Sequence, residues 1–552
     1  MEVKAQLKSF NTALFLAFNF MCACGATLAW HSPVMAATPG SGVLVAVGGG
    51  SEDPALIREI LDLAKGKASK VAIVNTASSE PAKSGPIYLK FFQTLGVPGA
   101  TLVPLLTREQ AYEPAVLEQL SAADLIYFTG GNQIRLAQIL AETPAHGAIL
   151  AAWQRGAVIA GTSAGAMVWG PEYLAAGTSA GALLKGTSKD GGLDLKPGLG
   201  LLPGVVVDTH FGREGRLGRL LVASAQQPGL AGVGVDERTA ALITAEGVRV
   251  IGDGHVTVVD LEKATYPAHQ GTGFSVRDAS LHLLSAGDTL RWHRDESEHR
   301  PMLPPRNREP MALGSLWLQG GEEPPKWTGS GRPGVPGTVD TGLLFGRLPE
   351  EILILCGDGA TAVAQRWQAA LQASGRTTVR VLPAGQLSAV QLQRYLPIAG
   401  GIVLVDDANA SLARALGGDQ GRLVRQAANH LALAAVGGAV PIPGETAVRP
   451  GSTTGELFPG LRVAPNLLPT QDMWTPGSFD RLVVDALLSG GSLGIGLGGA
   501  NGVKVSGGSL RVAGEGPVIL LETDKVSLAN PAGPSARDLI MHVLGPGEEI
   551  SL

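Results

Sequence analysis

The sequence predicts an α/β protein made of two tandem copies of a mainly parallel, three-layer α/β/α domain. Three observations favour this fold class. The chain has 552 residues, whereas a single hydrophobic core stops growing at roughly 250–300 residues. Short apolar runs alternate with helical patterns, which is typical of a parallel sheet covered on both faces. The second half also repeats sequence features of the first half.

The composition limits the classes of protein and partner. Hydrophobic residues make up 45% of the chain and charged residues 16%, with 76 glycines and 36 prolines. This balance favours a globular, turn-rich protein over disorder or a coiled coil. A formal net charge of −5 creates no basic field over such a length, so we expect no nucleic-acid partner.

Residues 1–36 have the pattern of a secretory signal peptide. Lys4 and Lys8 precede an apolar run over Ala13–Trp30, and Val34–Ala36 offers a cleavage site. The expected location is therefore periplasmic or extracellular, with no membrane attachment after the signal is removed.

Two alternatives remain open for this segment. One is a membrane anchor, although Asn19 and Gly25 interrupt a run that is short for the roughly 20 residues of a span. The other is lipidation at Cys24. Cleavage leaves Cys356 as the single cysteine, so we expect no internal disulfide and a fold held together by apolar burial.

From Gly42 onward, β-rich apolar runs alternate with segments that carry an apolar stripe at helical spacing. The clearest strands cover residues 43–47, 71–74, 125–128 and 157–160. The clearest helices cover Pro54–Ala64, Ile87–Leu95, Glu113–Leu120 and Gln133–Ala141.

An internal repeat indicates the domain boundaries. Two strings of the first half recur in the second: Ser275–Asp278 as Ser535–Asp538, and Arg219–Val222 as Arg481–Val484. We predict a signal peptide over 1–36, a catalytic domain over 41–293, a charged, proline-rich linker over 294–310 and a second copy of the fold over 311–552.

Ser163 lies in a turn that suits a nucleophile. The predicted strand ending at Ala160 continues through Gly161 and Thr162 into Ser163, and the small residues Ala164–Ala166 permit a sharp turn into a helix. Such a nucleophile elbow exposes the hydroxyl and directs the next backbone N–H toward the oxyanion. A plain glycine-rich turn is the alternative for this string taken alone.

Two further loops follow predicted strands and reach the same sheet edge. The glycines before Gln133 let backbone N–H groups approach a substrate carbonyl, and Gln133 can hydrogen-bond it. The alternative is a strand–helix loop capped by Asn132. His210 follows the strand Val205–Val207 and is the best available general base for Ser163 near neutral pH. Three other histidines occupy patterns typical of surface or hairpin positions: His146, His255 and His282.

Charged residues near His210 have more than one interpretation. Arg216 and Arg219 are three apart on a predicted helix and project to one face, where they bind a carboxylate or form a solvated surface. Asp236 and Glu237 have three alternative interpretations: they orient His210, they bind a substrate cation, or they cap a turn. We expect no metal or organic cofactor, because no cluster of His, Cys and carboxylates has the spacing of a ligand set.

Five strings taken together resemble the cyanophycinase family of S51 serine peptidases: Gly130–Gln133, Gly161–Ala166, Asp208–Phe211, Gly215–Leu220 and Gly234–Glu237. The resemblance covers about Gly42 to Leu290. It implies a fold similar to class I glutamine amidotransferases, a serine mechanism and cleavage of the β-aspartyl-arginine units of cyanophycin. It implies Ser163 as nucleophile, His210 as its base and Glu237 near the histidine. It also implies that four side chains line the substrate pocket: Gln133, Asp208, Arg216 and Arg219.

The chain departs from the family pattern near these positions. Thr209 stands where the family usually has glutamine, and Glu214 where it usually has arginine. Both departures are expected to lie near the substrate and to change specificity more than serine chemistry. The loop Ala175–Leu184 also lacks the acid that the family tends to carry. Three acids remain candidates for orienting the histidine: Asp190, Asp194 and Glu237.

The second copy lacks the chemical residues of the first. By the sequence alignment Ser163 falls on Ala439 and His210 on Asp472, while Asp236–Glu237 falls on Gly498–Gly499. We predict a catalytically inactive copy that covers the active domain in a pseudo-dimer or binds polymer.

The sequence therefore predicts an exported serine peptidase whose Ser163 attacks a β-aspartyl amide after His210 removes its proton. The N–H groups of Gly131 and Ala164 are expected to bind the oxyanion. The expected partner is cyanophycin or a β-aspartyl peptide, and the expected assembly is a homodimer or an intramolecular pseudo-dimer. Two alternatives remain: a related peptidase for other isoaspartyl or acidic peptides, and a binding protein without turnover.

Overall fold

The computed structural model describes most of residues 42–552. The positions it leaves out are 189, 228, 268–272, 293–314, 325, 329–337, 341–350, 376–377, 408, 444–445, 449–456, 460, 462–463, 465–466, 471–472, 474–476, 489–492, 499–500, 515, 524–525 and 529–534. The predicted signal peptide (1–36) and linker (294–310) lie outside the described residues, as do Asp472 and Gly499.

The first half contributes a sheet with a parallel centre. Its strands are β1 (Leu44–Val47), β2 (Val71–Val74), β3 (Ala100–Leu102), β4 (Leu125–Phe128), β5 (Val158–Thr162), β6 (Glu172–Ala176), β7 (Asp194–Pro197), β8 (Val205–Asp208), β9 (Ala231–Val235), β10 (Thr239–Ile243), β11 (Gly247–Gly252), β12 (Val256–Asp260), β13 (Val276–Leu284) and β14 (Thr289–Arg291). Eight of them form one sheet in the order β14-β11-β10-β1-β5-β4-β2-β3. The five strands from β1 to β3 in this order are parallel, whereas β10 runs antiparallel to β1.

Helices connect the parallel strands. They are α1 (Pro54–Asp62), α2 (Pro81–Thr94), α3 (Pro114–Ser121), α4 (Gln133–Leu140), α5 (Pro144–Gln154), α6 (Ala164–Met167), α7 (Ser179–Lys185) and α8 (Leu217–Ser224). Proline begins α1, α2, α3 and α5, at a position where its missing N–H is not needed. Asn132 caps α4, because its side-chain oxygen accepts from two N–H groups of the first turn. The prediction that α2 begins at Ile87 is wrong, since the helix contains Pro86 and begins at Pro81.

The second half builds a sheet of the same strand order. Its strands are β15 (Ser315–Gln319), β16 (Lys326–Thr328), β17 (Thr338–Asp340), β18 (Glu351–Cys356), β19 (Val379–Pro383), β20 (Ala399–Asp406), β21 (Ala432–Gly437), β22 (Thr446–Val448), β23 (Leu457–Pro459), β24 (Leu467–Thr470), β25 (Leu493–Gly496), β26 (Gly502–Ser506), β27 (Ser509–Ala513), β28 (Val518–Glu522), β29 (Ser527–Leu528), β30 (Ala536–Leu544) and β31 (Glu549–Ser551). Its helices are α9 (Thr361–Ala373), α10 (Ala389–Tyr395), α11 (Ser411–Ala415), α12 (Asp419–Ala428) and α13 (Ser478–Leu488). The order β31-β27-β26-β15-β21-β20-β18-β19 matches the first sheet strand for strand. The predicted fold class, two tandem α/β domains with mainly parallel sheets, is confirmed.

A third sheet is shared between the halves. Its strand order is β24-β25-β28-β30-β13-β12-β9-β8, and the halves meet where β13 runs antiparallel to β30. Ser280 faces Ile540 near the centre of this pairing. His282 is fully buried here and lies in the antiparallel pair of the consecutive strands β12 and β13. Of the two predicted positions for this residue, the surface position is wrong and the hairpin position is correct.

The contacts across this seam are reciprocal, as in an interface with two-fold symmetry. The backbone N–H of an aspartate in each half donates to the Nδ1 atom of a histidine in the other, and an arginine in each half donates to a backbone carbonyl of the other. The four bonds are Asp278 to His542 at 3.2 Å, Asp538 to His282 at 3.1 Å, Arg277 to Glu549 at 2.9 Å and Arg537 to Thr289 at 2.6 Å. The repeated sequence string thus forms the contact between the halves.

The strand register corrects one position of the sequence alignment. In the first sheet Leu125 pairs with Val158, and at the corresponding place in the second sheet Gly401 pairs with Ala432. By this register the residue of the second half that is equivalent to Ser163 is Gly437, not Ala439. Gly437 and Ser163 also share a backbone φ of 53°. The serine therefore corresponds to a residue without a side chain.

Within the described residues, no helix combines the length and apolar character that a membrane span requires. One apolar cluster of the core crosses between the halves. It packs Met167 and Phe211 of the first half together with Met473 and Phe479 of the second.

Candidate active site

Ser163 stands on a sharp turn between β5 and α6. Its φ of 53° lies in a region that residues other than glycine rarely adopt, and such strain is typical of functional sites. Its backbone N–H donates to the Val47 carbonyl at 3.0 Å, which ties the turn to the end of β1. The turn directs the hydroxyl toward His210.

His210 lies directly after β8 and also has a positive φ, 49°. Its Nε2 atom lies 2.9 Å from the Ser163 Oγ atom. Its backbone N–H donates to the Gly48 carbonyl at 2.8 Å. A Cβ atom on Gly49, whose φ is +92°, would lie 2.3 Å from the imidazole. The loop after β1 therefore needs glycine so that the backbone can approach the histidine.

Glu237 holds the other side of the imidazole. The His210 Nδ1 atom lies 2.7 Å from Glu237 Oε1, and Arg213 donates to Glu237 Oε2 at 2.6 Å. Burial acts to raise the pKa of Glu237, but the hydrogen bonds from His210 and Arg213 outweigh it and hold the pKa below its usual value. An ionised carboxylate only accepts hydrogen bonds, so the proton of a neutral His210 resides on Nδ1 and the Nε2 lone pair faces Ser163.

The structure distinguishes between the three acids that the sequence left open. Glu237 contacts the histidine, whereas Asp194 forms an ion pair with Lys196 at 3.4 Å and the Asp190 carbonyl accepts from Lys185. Asp236, beside Glu237, accepts from the N–H groups of Gly212 and His255 and so caps the loops around the site.

Two backbone N–H groups lie near the serine. Ala164 is the first residue of α6, so its N–H has no acceptor within the helix. The loop before α4 passes next to Ser163, because a Cβ on Gly130 would lie 3.3 Å from the Ser163 Cβ. Gly131 has a φ of +143°, and a Cβ there would lie 2.1 Å from the Ala77 carbonyl oxygen. Only glycine at 131 lets this loop pass so close to the Ala77 carbonyl.

Asp208 does not line the pocket as a substrate ligand. It is fully buried, and its carboxylate accepts from Arg219 at 2.6 and 2.5 Å and from Arg216 at 3.0 Å. A buried carboxylate requires such partners. Asp208 therefore positions the two arginines, which the sequence predicted to share one helix face. Arg216 immediately precedes α8, and Arg219 lies within it.

The other pocket residues also have protein partners. Gln133 donates to the carbonyls of Leu174 and Ala175 at 3.1 and 3.2 Å, so its amide nitrogen holds β6. Glu214 is half-exposed and accepts from the Nε and a terminal nitrogen of Arg216. Thr209 is fully buried. The expectation that Thr209 lies beside the substrate is therefore wrong, whereas Glu214 lies on the exposed side of Arg216.

The sequence interpretation missed two contributors to this site. Arg213 lies in the loop after His210, in a sequence context typical of a surface arginine. Its ion-pair partner Glu237 is 24 residues away in the sequence, so no local pattern indicates the contact. The sequence interpretation also gave no role to the glycine run after β1, Gly48–Gly50. Its position at the carboxyl end of a central parallel strand was the available signal, because ligand sites of α/β proteins lie at that edge.

The fold and the arrangement of these residues define the chain as a serine-type peptidase. The family model for peptidase family S51 matches residues 44–251. The chain is 36% identical to a cyanophycinase of Synechococcus elongatus over 276 aligned residues, and this alignment covers 48% of this chain and 84% of the relative. A cyanophycinase of Trichormus variabilis is 36% identical over 259 residues, or 45% and 85% of the two chains. A third, from Geminocystis herdmanii, is 35% identical over 269 residues, or 47% and 95%.

The chain belongs to the cyanophycinase family of S51 peptidases. Among solved structures, a peptidase from an acI-B1 Actinobacterium is similar, with 24% identity, a TM-score of 0.34 and coverage of 46% of this chain and 97% of that one.

Proposed function

We propose that this protein is an exported peptidase of cyanophycinase type in which Ser163 is the nucleophile, His210 its general base and Glu237 the acid that orients the histidine. The observation that carries the proposal is the continuous series of contacts at 2.9 and 2.7 Å from the serine through the imidazole to the carboxylate. This is the geometry that general-base activation of a hydroxyl requires.

Catalysis begins when the Ser163 Oγ atom attacks the substrate carbonyl while its proton passes to His210 Nε2. The oxyanion receives hydrogen bonds from the N–H groups of Gly131 and Ala164. The C–N bond then breaks, and Nε2 returns the proton to the departing amine. Water, deprotonated by the same nitrogen, releases the acyl group from the serine. Glu237 stabilises the imidazolium that forms in both halves of this cycle.

The proposed substrate is cyanophycin, cleaved at its β-aspartyl-arginine units. The five sequence strings and the relatives named cyanophycinases support it. The alternative, a related peptide with isoaspartyl or acidic residues, rests on the departure from the family pattern at Glu214, whose carboxylate engages Arg216 and is expected to change specificity. Each arginine of the site has a carboxylate partner: Arg213 has Glu237, Arg219 has Asp208, and Arg216 has both Asp208 and Glu214.

We further propose that the second half is a catalytically inactive copy of the first, derived by tandem duplication. Gly437 at the position of the serine supports this role. Export rests on the signal-peptide pattern of residues 1–36, and the mature protein is expected to have no membrane attachment.

The test combines covalent labelling with substrate turnover. The native protein is expected to react with a fluorophosphonate at Ser163 and to release soluble dipeptide from insoluble cyanophycin. Ser163→Ala should abolish both, and the control Ser121→Ala, at the exposed end of α3, should alter neither. Absence of labelling in the native protein would instead favour a binding protein without turnover.

Glu214→Gln separates the two substrate classes. If Glu214 selects against a substrate carboxylate at Arg216, its neutralisation should lower KM for acidic substrates and leave the fluorophosphonate labelling rate unchanged. Labelling of the native protein without release of dipeptide from cyanophycin would favour the alternative substrate.

A further inference from the structure

The loop between His210 and the start of α8, residues 210–216, carries both the catalytic histidine and Arg216. Contacts within its own half hold its two ends: the His210 N–H donates to the Gly48 carbonyl, and Arg216 donates to Asp208. The Phe211 N–H donates to the Val235 carbonyl at 3.2 Å, and the Gly212 N–H donates to Asp236 Oδ1 at 2.8 Å. The loop receives additional support from the second half.

Gly477, which directly precedes α13 in the second half, donates its N–H to the Gly212 carbonyl at 2.8 Å. The Gly212 N–H is thus held within the first half, whereas its carbonyl accepts both from Gly215 of the same loop at 3.2 Å and from Gly477 of the second half. Gly477 also borders the open groove that exposes Arg213 and Glu237. A residue of the inactive half therefore reaches the edge of the active site.

Apolar contacts strengthen the same junction. Phe211 and Leu217, at the two ends of the loop, share one small cavity with Met473 and Phe479 of the second half, and all four are buried. Met473 is itself fixed, because its N–H donates to the Leu497 carbonyl. Phe211 and Met473 occupy corresponding places in the two halves and belong to the same apolar cluster.

A short path links this junction to the reacting atoms. Gly212 is bonded to Arg213 along the chain, Arg213 holds Glu237, and Glu237 holds His210. Arg216 borders the same cavity as Met473. Displacing the loop would alter the geometry of the general base together with that of the substrate-facing arginine.

We propose that the second half is a positioning element of the active site, and that Met473, Gly477 and Phe479 hold the loop 210–216 in its working geometry. This inference rests on the proposed function of Ser163 and His210. The inactive copy then contributes to turnover without touching the reacting atoms.

The experiment compares two buried methionines of the second half in the full-length chain. Met473→Ala removes a side chain from the junction, whereas Met541→Ala removes one from β30 in the same apolar cluster, away from the loop. The rate of Ser163 labelling by a fluorophosphonate, its pH profile and the melting temperature are measured for both. Met473→Leu, which nearly conserves volume, provides a second junction variant that folds if the alanine variant does not.

Both alanine variants should melt at lower temperature than the native protein. Met473→Ala alone should slow labelling about ten- to hundred-fold, the effect of a displacement on the order of 1 Å. It should also move the acidic limb of the pH profile to higher pH, because a Glu237 carboxylate that has lost Arg213 stabilises the imidazolium of His210 more strongly. Met473→Leu should change both in the same direction to a smaller extent.

Equal labelling rates and unchanged pH profiles in the variants at 473 and 541 would overturn the inference. That outcome leaves the native protein reactive at Ser163, so it is distinct from failure of the proposed function, in which the native protein itself is not labelled.

Discussion

Replacement of Glu237 by glutamine tests the series of contacts behind the serine. The two atoms of the Glu237 carboxylate have different partners, the His210 imidazole at 2.7 Å and the Arg213 guanidinium at 2.6 Å. A glutamine offers one acceptor and one donor to these partners. Arg213 only donates, so it draws the amide oxygen, and the amide NH2 then faces His210 Nδ1. This stabilises the tautomer whose Nε2 carries the proton and cannot accept one from Ser163.

The expected loss of activity in Glu237→Gln follows from the loss of the base. An imidazole in the wrong tautomer loses its function as base, which costs about 10⁴-fold in kcat in the best-known serine triad, so we expect a loss of roughly 10³–10⁴-fold for Glu237→Gln. Adding Arg213→Ala frees the amide to rotate and present its oxygen to Nδ1. The double variant should therefore be more active than Glu237→Gln alone, although Arg213→Ala by itself lowers activity.

The assay is the rate of Ser163 labelling by a fluorophosphonate in all four proteins of this cycle, combined with hydrolysis of cyanophycin. The coupling between the two substitutions is the quantity of interest. If Glu237→Gln labels within about threefold of the native rate, or if adding Arg213→Ala lowers the rate further, the assignment of Glu237 as the group that sets the tautomer is refuted.

Three further predictions concern the surroundings of this site. Gly49→Ala should slow catalysis about 100-fold, because the new Cβ must displace the His210 ring by about 1 Å. The control is Gly287→Ala, where the backbone φ is similar, +87°, but the space around the Cβ is open. Equal losses of activity in the two variants would contradict the importance of the contact with His210. Burial raises the pKa of Asp485 to about 6 from 3.8, so native Asp485 retains a proton that the unfolded chain has released, and stability falls as pH rises through this window. Asp485→Asn should therefore add up to roughly 3 kcal/mol above about pH 6 and nothing near pH 4, and unfolding curves that show the same gain at both pH values would disprove the linkage. Residues 37–305 expressed alone should self-associate in light-scattering measurements, because β13 becomes an unpaired edge strand; a stable monomer would contradict this expectation.

Much of the local fold was predictable because it depends on local chemistry. The strands over 71–74 and 125–128 are continuous apolar runs, and β2 and β4 have those bounds. The turn at Ser163 and the loop at His210 each follow a strand, but these strands, β5 and β8, lie in different sheets. The prediction that the two loops reach one sheet edge is therefore wrong, and their contact at 2.9 Å depends on how the two sheets pack. The helix predicted over Ile87–Leu95 begins earlier, at Pro81, because its first turns contain Pro86 and lack the apolar stripe that marks the rest.

The long-range pairings were not predictable in the same way. An alternating strand such as β13 can pair with any free edge, and nothing in its own residues selects β30. The sequence predicted that Arg216 and Arg219 bind a substrate carboxylate. In the structure both donate to the carboxylate of Asp208 in the same chain. The sequence alignment also paired Ser163 with Ala439, two positions after its structural equivalent Gly437. Strands made of similar apolar residues can be aligned in several registers, so the sequence does not fix the correct one.

The seam between β13 and β30 has a consequence for how the enzyme responds to dilution. Two separate subunits joined through such a strand pair would part as their concentration fell, and each active-site loop would lose its support. Here both partners belong to one polypeptide, so the effective concentration of the supporting half stays in the range set by the tether, about millimolar for a short one. Activity per molecule is therefore expected to be independent of protein concentration.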